Sequence, residues 1–191
     1  MFAYLEGKIT YKSPSLLYMD VHGVGYELNI TLQTYARIQQ KDNCRLYIHL
    51  QVREDAWVLY GFAEEQERLT FRQLLSINGV GAATARIILS SLTPDELSKA
   101  VATEDTRTLE KVKGIGAKTA QRIILELKGK LVAAKTTDLQ HPAHNTKEED
   151  ALIALVNLGI SRSAAEAALR KLNNTSSMTV EELIKQALRA L

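Results

Sequence analysis

"KGIGAKTAQRI", Lys113–Ile123, aligns without a gap on "NGVGAATARII", Asn78–Ile88, at an offset of 35 residues from Gly79 to Gly114. Each copy runs Gly, hydrophobic, Gly, Ala, any residue, Thr, Ala, and each opens a run with helical periodicity. A helix N-terminus presents unpaired backbone N–H groups and about half a positive charge, which favours an anion. Glycine just ahead of it removes the Cβ that would hold a phosphate away from those amides. Val80 and Ile115 are expected to point inward and fix the turns. Thr84 and Arg86 lie one turn on in the first copy, and Lys118, Thr119 and Arg122 in the second.

One such turn is as readily a tight helix–helix connection. Two aligned copies, one of them in a basic stretch, describe a tandem helix-hairpin-helix pair. Its Gly79, Val80, Gly81 and Gly114, Ile115, Gly116 would grip a nucleic-acid backbone without reading sequence. Dinucleotide-binding and P-loop readings fail, because neither turn follows a strand, the third glycine is missing, and no Gly-Lys-Ser/Thr occurs.

Outward from the turns, the chain is expected to be multidomain α+β. All seven tyrosines and the one tryptophan fall in the first 60 residues. Phe2–Lys12, Leu16–His22, Gly25–Thr31, Arg45–Gln51 and Trp57–Phe62 read as strands, with a short helix over Leu32–Gln39. Five short strands predict a small OB-type barrel over residues 1–63. From Glu64 to Val132 the apolar period is helical, and Thr93-Pro94-Asp95-Glu96 is a helix start. Residues 133–147 lose the period and read as a flexible linker. Residues 148–191 resume it in three short pieces, broken at Gly159 and Asn173–Ser177, which make a small bundle with a thin core.

Charge follows the same divisions. The whole chain carries only +2. Residues 1–63 hold six basic and six acidic side chains, residues 146–191 likewise six and six, but residues 107–130 hold seven against two. The positive field is local, as expected where one part of a chain meets a polyanion. Cys44 is the single cysteine, which fits a reducing compartment. No membrane-length apolar run or signal-peptide order is present, so a cytoplasmic protein is expected.

Beyond the turns, "MFAYLEGKI", "HGVGYELNI" at His22–Ile30, "VREDAWVLYGF" at Val52–Phe62 and "ALVNLGISRSAAEAAL" near the C-terminus resemble the RuvA family. These are the bacterial Holliday-junction-binding subunits of the branch-migration complex. The resemblance covers essentially the whole chain. It implies a barrel, a tandem hairpin domain and a C-terminal bundle that engages the RuvB ATPase. It also implies a homotetramer, or an octamer on DNA, that holds a four-way junction open and works beside the RuvC resolvase. Glu54 and Asp55 match the family's acidic pin at the crossover, where carboxylates would repel misplaced phosphates. By residue type alone they read as a solvated hairpin turn. Leu155, Leu158 and Ile160 match the motor-binding face, and equally read as bundle core. One departure stands out: Ala82 and Ala83 occupy the first hairpin where a basic residue is expected.

Two other classes compete. Glycosylases and nucleases with such hairpins need a catalytic Asp or Lys, or a carboxylate metal cluster, beside them. Leu125–Leu131 offers Glu126 among lysines with no Asp partner. Glu64, Glu65 and Glu67, Glu104 and Asp105, and Glu148 to Asp150 read as acids at helix starts. His141 and His144 have no cysteine neighbours, so neither a catalytic residue nor a metal or other cofactor is expected. A single-strand scaffold would use barrel aromatics over a basic groove. Here the barrel is neutral, so its tyrosines are expected in the core and interfaces.

Overall fold

The computed structural model describes residues 2–138, 147–172 and 178–190. Five strands, β1 (Tyr4–Ser13), β2 (Leu16–Val21), β3 (Val24–Ile30), β4 (Asn43–Val52) and β5 (Trp57–Phe62), close into a barrel in the order β1-β2-β3-β5-β4. Only the β3–β5 pair is parallel, with Leu28 beside Leu59. Between β3 and β4 lies α1 (Leu32–Ile38), capped by Thr31, whose hydroxyl accepts from the Thr34 N–H at 3.0 Å. The period of two fills the barrel with Leu5, Leu17, Met19, Leu28, Ile30, Leu46 and Ile48. That alternation divides the tyrosines expected in the core and interfaces: Tyr26 and Tyr35 pack, partly buried, against the barrel core, but others do not. Tyr18 lies between inward Leu17 and Met19, so it faces out. Tyr4 and Tyr11 are exposed too, and of the seven only Tyr60 is buried.

The barrel continues into α2 (Glu65–Leu75), α3 (Ala82–Ser91), α4 (Pro94–Ala102), α5 (Thr106–Glu110) and α6 (Ala117–Asp138). The expected start at Thr93 is a full capping box: its hydroxyl accepts from the Glu96 N–H at 3.2 Å, and the Glu96 carboxylate from the Thr93 N–H at 2.8 Å. Outward-facing Tyr60 and Phe62 of β5 meet Phe71 of α2, with ring centroids 5.1 and 4.9 Å apart. Barrel wall and helices therefore share one core, which runs on through Leu74, Ile88, Val101, Leu109 and Ile123. The two regions form one compact unit, Met1–Ala134.

A second compact unit, Lys135–Leu191, holds α7 (Lys147–Asn157), α8 (Arg162–Arg170) and α9 (Val180–Ala190). Its core of Ala151, Leu152, Leu155, Ala165, Ala168, Leu169, Leu183 and Ala187 is half alanine, hence thin. Helix α6 continues to Asp138, into the start of the stretch expected as linker. The rest of that stretch to residue 146, with His141 and His144, and the expected break at Asn173–Ser177 lie outside the described residues.

Because Phe71 is fully buried at the joint, Phe71→Ala should cost about 3–5 kcal/mol. Urea denaturation should show barrel tryptophan fluorescence and helical circular dichroism shifting together. A shift in the helical signal alone would mean that the two regions unfold independently.

Candidate nucleic-acid interface

The two glycine turns match bond for bond. Gly79 and Gly114 adopt φ of 86° and 87°, the left-handed region that lets the chain reverse between helices. Ile77 N–H donates to Leu74 O at 3.1 Å, and Val112 N–H to Leu109 O at 3.0 Å. Val80 N–H donates to Ile77 O at 3.1 Å, and Ile115 N–H to Val112 O at 3.0 Å. The first bonds of α3 and α6, Ala85 N–H to Gly81 O and Ala120 N–H to Gly116 O, are both 2.9 Å. Every pair is separated by the 35 residues of the sequence repeat.

These bonds decide which amides remain for a ligand. Val80 and Ile115 are buried and donate their N–H groups within the turns, so they shape the site and leave no amide for an anion. The free donors come next. The N–H groups of Gly81, Ala82, Ala83 and Thr84, and of Gly116, Ala117, Lys118 and Thr119, precede the first intrahelical bond and have no acceptor among the described residues. Gly81 and Gly116 are exposed, and a Cβ built on either meets nothing within 4 Å. Three alanines are thus part of the site through their backbone. Only the fixed distance from each glycine could have flagged them in sequence, because their side chains carry no chemistry.

The basic side chains divide differently from expectation. Lys118 is exposed beside the second cluster, and Thr119 is half-buried. Arg86 is turned away from the role expected of it: its Nη1 donates to Asn29 Oδ1 at 2.5 Å and reaches the Ser15 carbonyl at 3.5 Å, both in the barrel. Its position on α3, one turn past the site, brings it against β3 instead of over the turn. Arg122 is exposed but donates from Nη1 to the Asn78 carbonyl at 3.1 Å, tying the second hairpin to the first turn. Lys111 and Lys113 are exposed around the second turn. Lys128 bonds to Glu104, which holds that carboxyl below its usual range.

The acids expected at helix starts also divide. Asp105 caps α5 by accepting from the Thr108 hydroxyl and N–H, and these bonds lower its pKa. Glu67 is in the first turn of α2 as expected, and is also buried against Thr31 and Thr34. Glu54 and Asp55 are exposed on the β4–β5 turn, which is closed by Arg53 N–H to Ala56 O at 2.9 Å. Among the described residues, no group of three or more His, Cys, Asp or Glu could hold a metal ion. No described helix is long and apolar enough to cross a membrane.

In the C-terminal unit the three apolar candidates part company. Helix α7 ends in a Schellman motif. Gly159, at φ 91°, donates to Val156 O at 3.0 Å, and Ile160 N–H to Leu155 O at 3.2 Å. That motif packs the partly buried Ile160 against the core that holds Leu155, and Leu155 is completely buried. Leu155 therefore cannot form a contact face. Leu158 is 63% exposed, and Ile153 and Val156, which the sequence reading missed, are exposed with it.

The turns allow fold and grip to be separated. Gly114→Ala should cost about 1–2 kcal/mol of stability from its positive φ alone. Gly116→Val should leave stability within about 1 kcal/mol, as its Cβ meets open space. If a phosphate sits on these amides, Gly116→Val should nonetheless weaken DNA binding. Unchanged binding by that variant would remove the second turn from the interface.

Comparison with known proteins adds three matches. The RuvA N-terminal domain matches residues 1–61, the SAM-like helix-hairpin-helix tandem residues 71–130, and the RuvA C-terminal domain residues 146–191. Curated relatives from Amoebophilus asiaticus and Christiangramia forsetii are 48% and 45% identical, over 99% and 100% of this chain and 100% of each relative. One from Chromobacterium violaceum is 42% identical over 100% of this chain and 98% of its own. All three carry the name Holliday junction branch migration complex subunit RuvA. With the barrel, the paired hairpins and the C-terminal helices in the order that these matches require, the chain belongs to the RuvA family.

Proposed function

We propose that this chain binds four-way DNA junctions by their shape, without sequence preference, holds them open, and recruits and regulates the RuvB ATPase for branch migration in recombination and repair. The observation that carries this reading is the repeat of two turns, each leaving the four N–H groups at the start of its following helix without acceptors. Two anion sites held in one compact unit suit two phosphates of one duplex arm, and backbone amides read no bases. Its curated relatives are named as subunits of a Holliday junction branch-migration complex, in agreement with that use.

The rest of the assignment follows from the family. Residues 1–63 serve as barrel and oligomerisation surface, 64–132 as the DNA-binding domain, 133–147 as linker and 148–191 as the RuvB-binding bundle. Four copies present one hairpin pair to each arm, with a second tetramer able to close an octamer and RuvC joining the larger complex. Glu54 and Asp55 meet at the centre as an acidic pin. The chain has no active site of its own and works in the cytoplasm. Lys118, Thr119 and Arg122 add side-chain contacts at the second hairpin, while the first relies on amides because Arg86 is held by the barrel.

Gel mobility with an immobile four-way junction against a linear duplex of matching sequence tests the function directly. The junction should be preferred, and equal affinities would overturn the reading. In the same assay Glu54→Gln with Asp55→Asn removes like-charge repulsion and should raise duplex affinity more than junction affinity. An equal shift for both substrates would place the acidic turn away from the crossover.

Leu158→Ser should leave junction affinity unchanged and lower RuvB-driven branch migration several-fold, since Leu158 is exposed where Leu155 and Ile160 are not. Full branch migration by that variant would exclude this end of α7 from the motor contact.

A further inference from the structure

Four polar or charged side chains are buried among the described residues: Thr31, Thr34, Glu67 and Thr70. Thr70 is satisfied within its own helix, donating to Gln66 O at 2.8 Å. The other three form one closed network between α1 of the barrel and α2 of the first hairpin. Thr31 donates its hydroxyl to Glu67 Oε1, and Thr34 donates to Oε2 at 2.8 Å. Each hydroxyl also accepts an amide: Thr31 from Thr34 N–H at 3.0 Å, and Thr34 from Ala63 N–H at 2.9 Å. Ala63 lies at the joint where β5 leaves the barrel for α2. The network thus spans the cap of α1, the exit of the barrel and the first turns of the hairpin.

A carboxylate with 3% exposure is a poor way to gain stability alone. An apolar set of similar volume usually holds a seam as well or better. What the carboxylate adds is direction, because two acceptor oxygens facing two fixed hydroxyls admit one orientation of α2. Other bonds act on the same joint. Ser90 of α3 accepts from Leu32 N–H at 3.1 Å, and Arg86 of α3 holds Asn29. Both helices of the first hairpin are therefore bonded to the barrel, and Arg122 links the second hairpin to the first turn. The barrel carries Glu54 and Asp55, and the hairpins carry the amide clusters. The angle at this joint sets the spacing between them.

We propose that Glu67 is a positioning residue for junction recognition: held by Thr31 and Thr34, it fixes the hairpin pair at one angle to the barrel, and thereby the angle at which bound arms leave the crossover. The inference rests on the junction-binding function proposed above. It assigns Glu67 no contact with DNA, so its loss should alter discrimination between DNA shapes and leave the phosphate grip in place.

The test uses full-length Glu67→Gln, Thr34→Val and Thr34→Ser, each checked for folding by thermal melting. Affinity for linear duplex and for an immobile junction is measured, with fluorescence energy transfer between dyes on adjacent junction arms. Glu67→Gln and Thr34→Val should keep duplex affinity, lose junction preference by about tenfold or more, the scale of one hydrogen bond to a charged group, and broaden the arm-to-arm distances. Thr34→Ser, which keeps the hydroxyl, should restore both. Should Glu67→Gln fail to fold, the contrast between Thr34→Val and Thr34→Ser decides. A folded variant with wild-type preference and wild-type arm distances overturns the inference, and so does an equal loss for both substrates. A wild-type chain with no preference for the junction overturns the proposed function itself, and is told apart because it appears before any substitution is made.

Discussion

A helix that begins on glycine leaves its first amides without partners, and in this protein that deficit occurs twice in the same geometry. Four other helix starts, at Thr31, Thr93, Asp105 and Ser161, are each capped by a side-chain oxygen, while Glu64 at the start of α2 makes no such bond. At Gly81 no side chain caps. Gly116 cannot supply one either, since it has no side chain. An uncapped helix start costs roughly 1 kcal/mol relative to a good cap. Accepting that cost at two matched positions makes physical sense where a phosphate replaces the missing acceptor.

The surrounding structure keeps the two clusters in fixed relation. Hydrophobic burial does most of this: Phe71 against Tyr60 and Phe62 makes barrel and hairpins one core. Directional bonds then refine it, with Glu67 and Arg86 fixing the first hairpin to the barrel and Arg122 fixing the second to the first. The result is an asymmetric pair. The first hairpin commits Arg86, one turn past its amides, to the barrel, whereas the second keeps exposed Lys113 and Lys118 beside its own. Charge attracts a polyanion at long range and amides hold it in register, so the two hairpins divide these tasks unequally.

The C-terminal unit obeys a different economy. Its core is small and rich in alanine, and Ile153, Val156, Leu158 and Leu188 stay exposed outside it. At the Schellman motif of Gly159, Leu155 lies in that core and Ile160 packs partly buried against it. Leu158, the residue between them at the cap, is left outside along with Ile153 and Val156. A helix end thus separates core residues from exposed apolar ones within the eight positions from Ile153 to Ile160.

Local physics made much of this legible from sequence. Strand alternation, the change of period at Glu64, the capping box at Thr93 and the repeated glycine turns depend on neighbours within a few residues, and the structure contains each of them. Sequence alone also marked the turns as a place for backbone contacts, because glycine restricts what the chain can do there. Partnerships across long separations were not legible. Arg86 meets Asn29 across 57 residues, Glu67 meets Thr31 across 36, and Arg122 meets Asn78 across 44. None of these partnerships showed in the sequence, since a charged side chain carries no local sign of its distant partner. Only tertiary packing, by burying α2 and α3 against the barrel, decided which charges were used within the fold and which were left for a ligand.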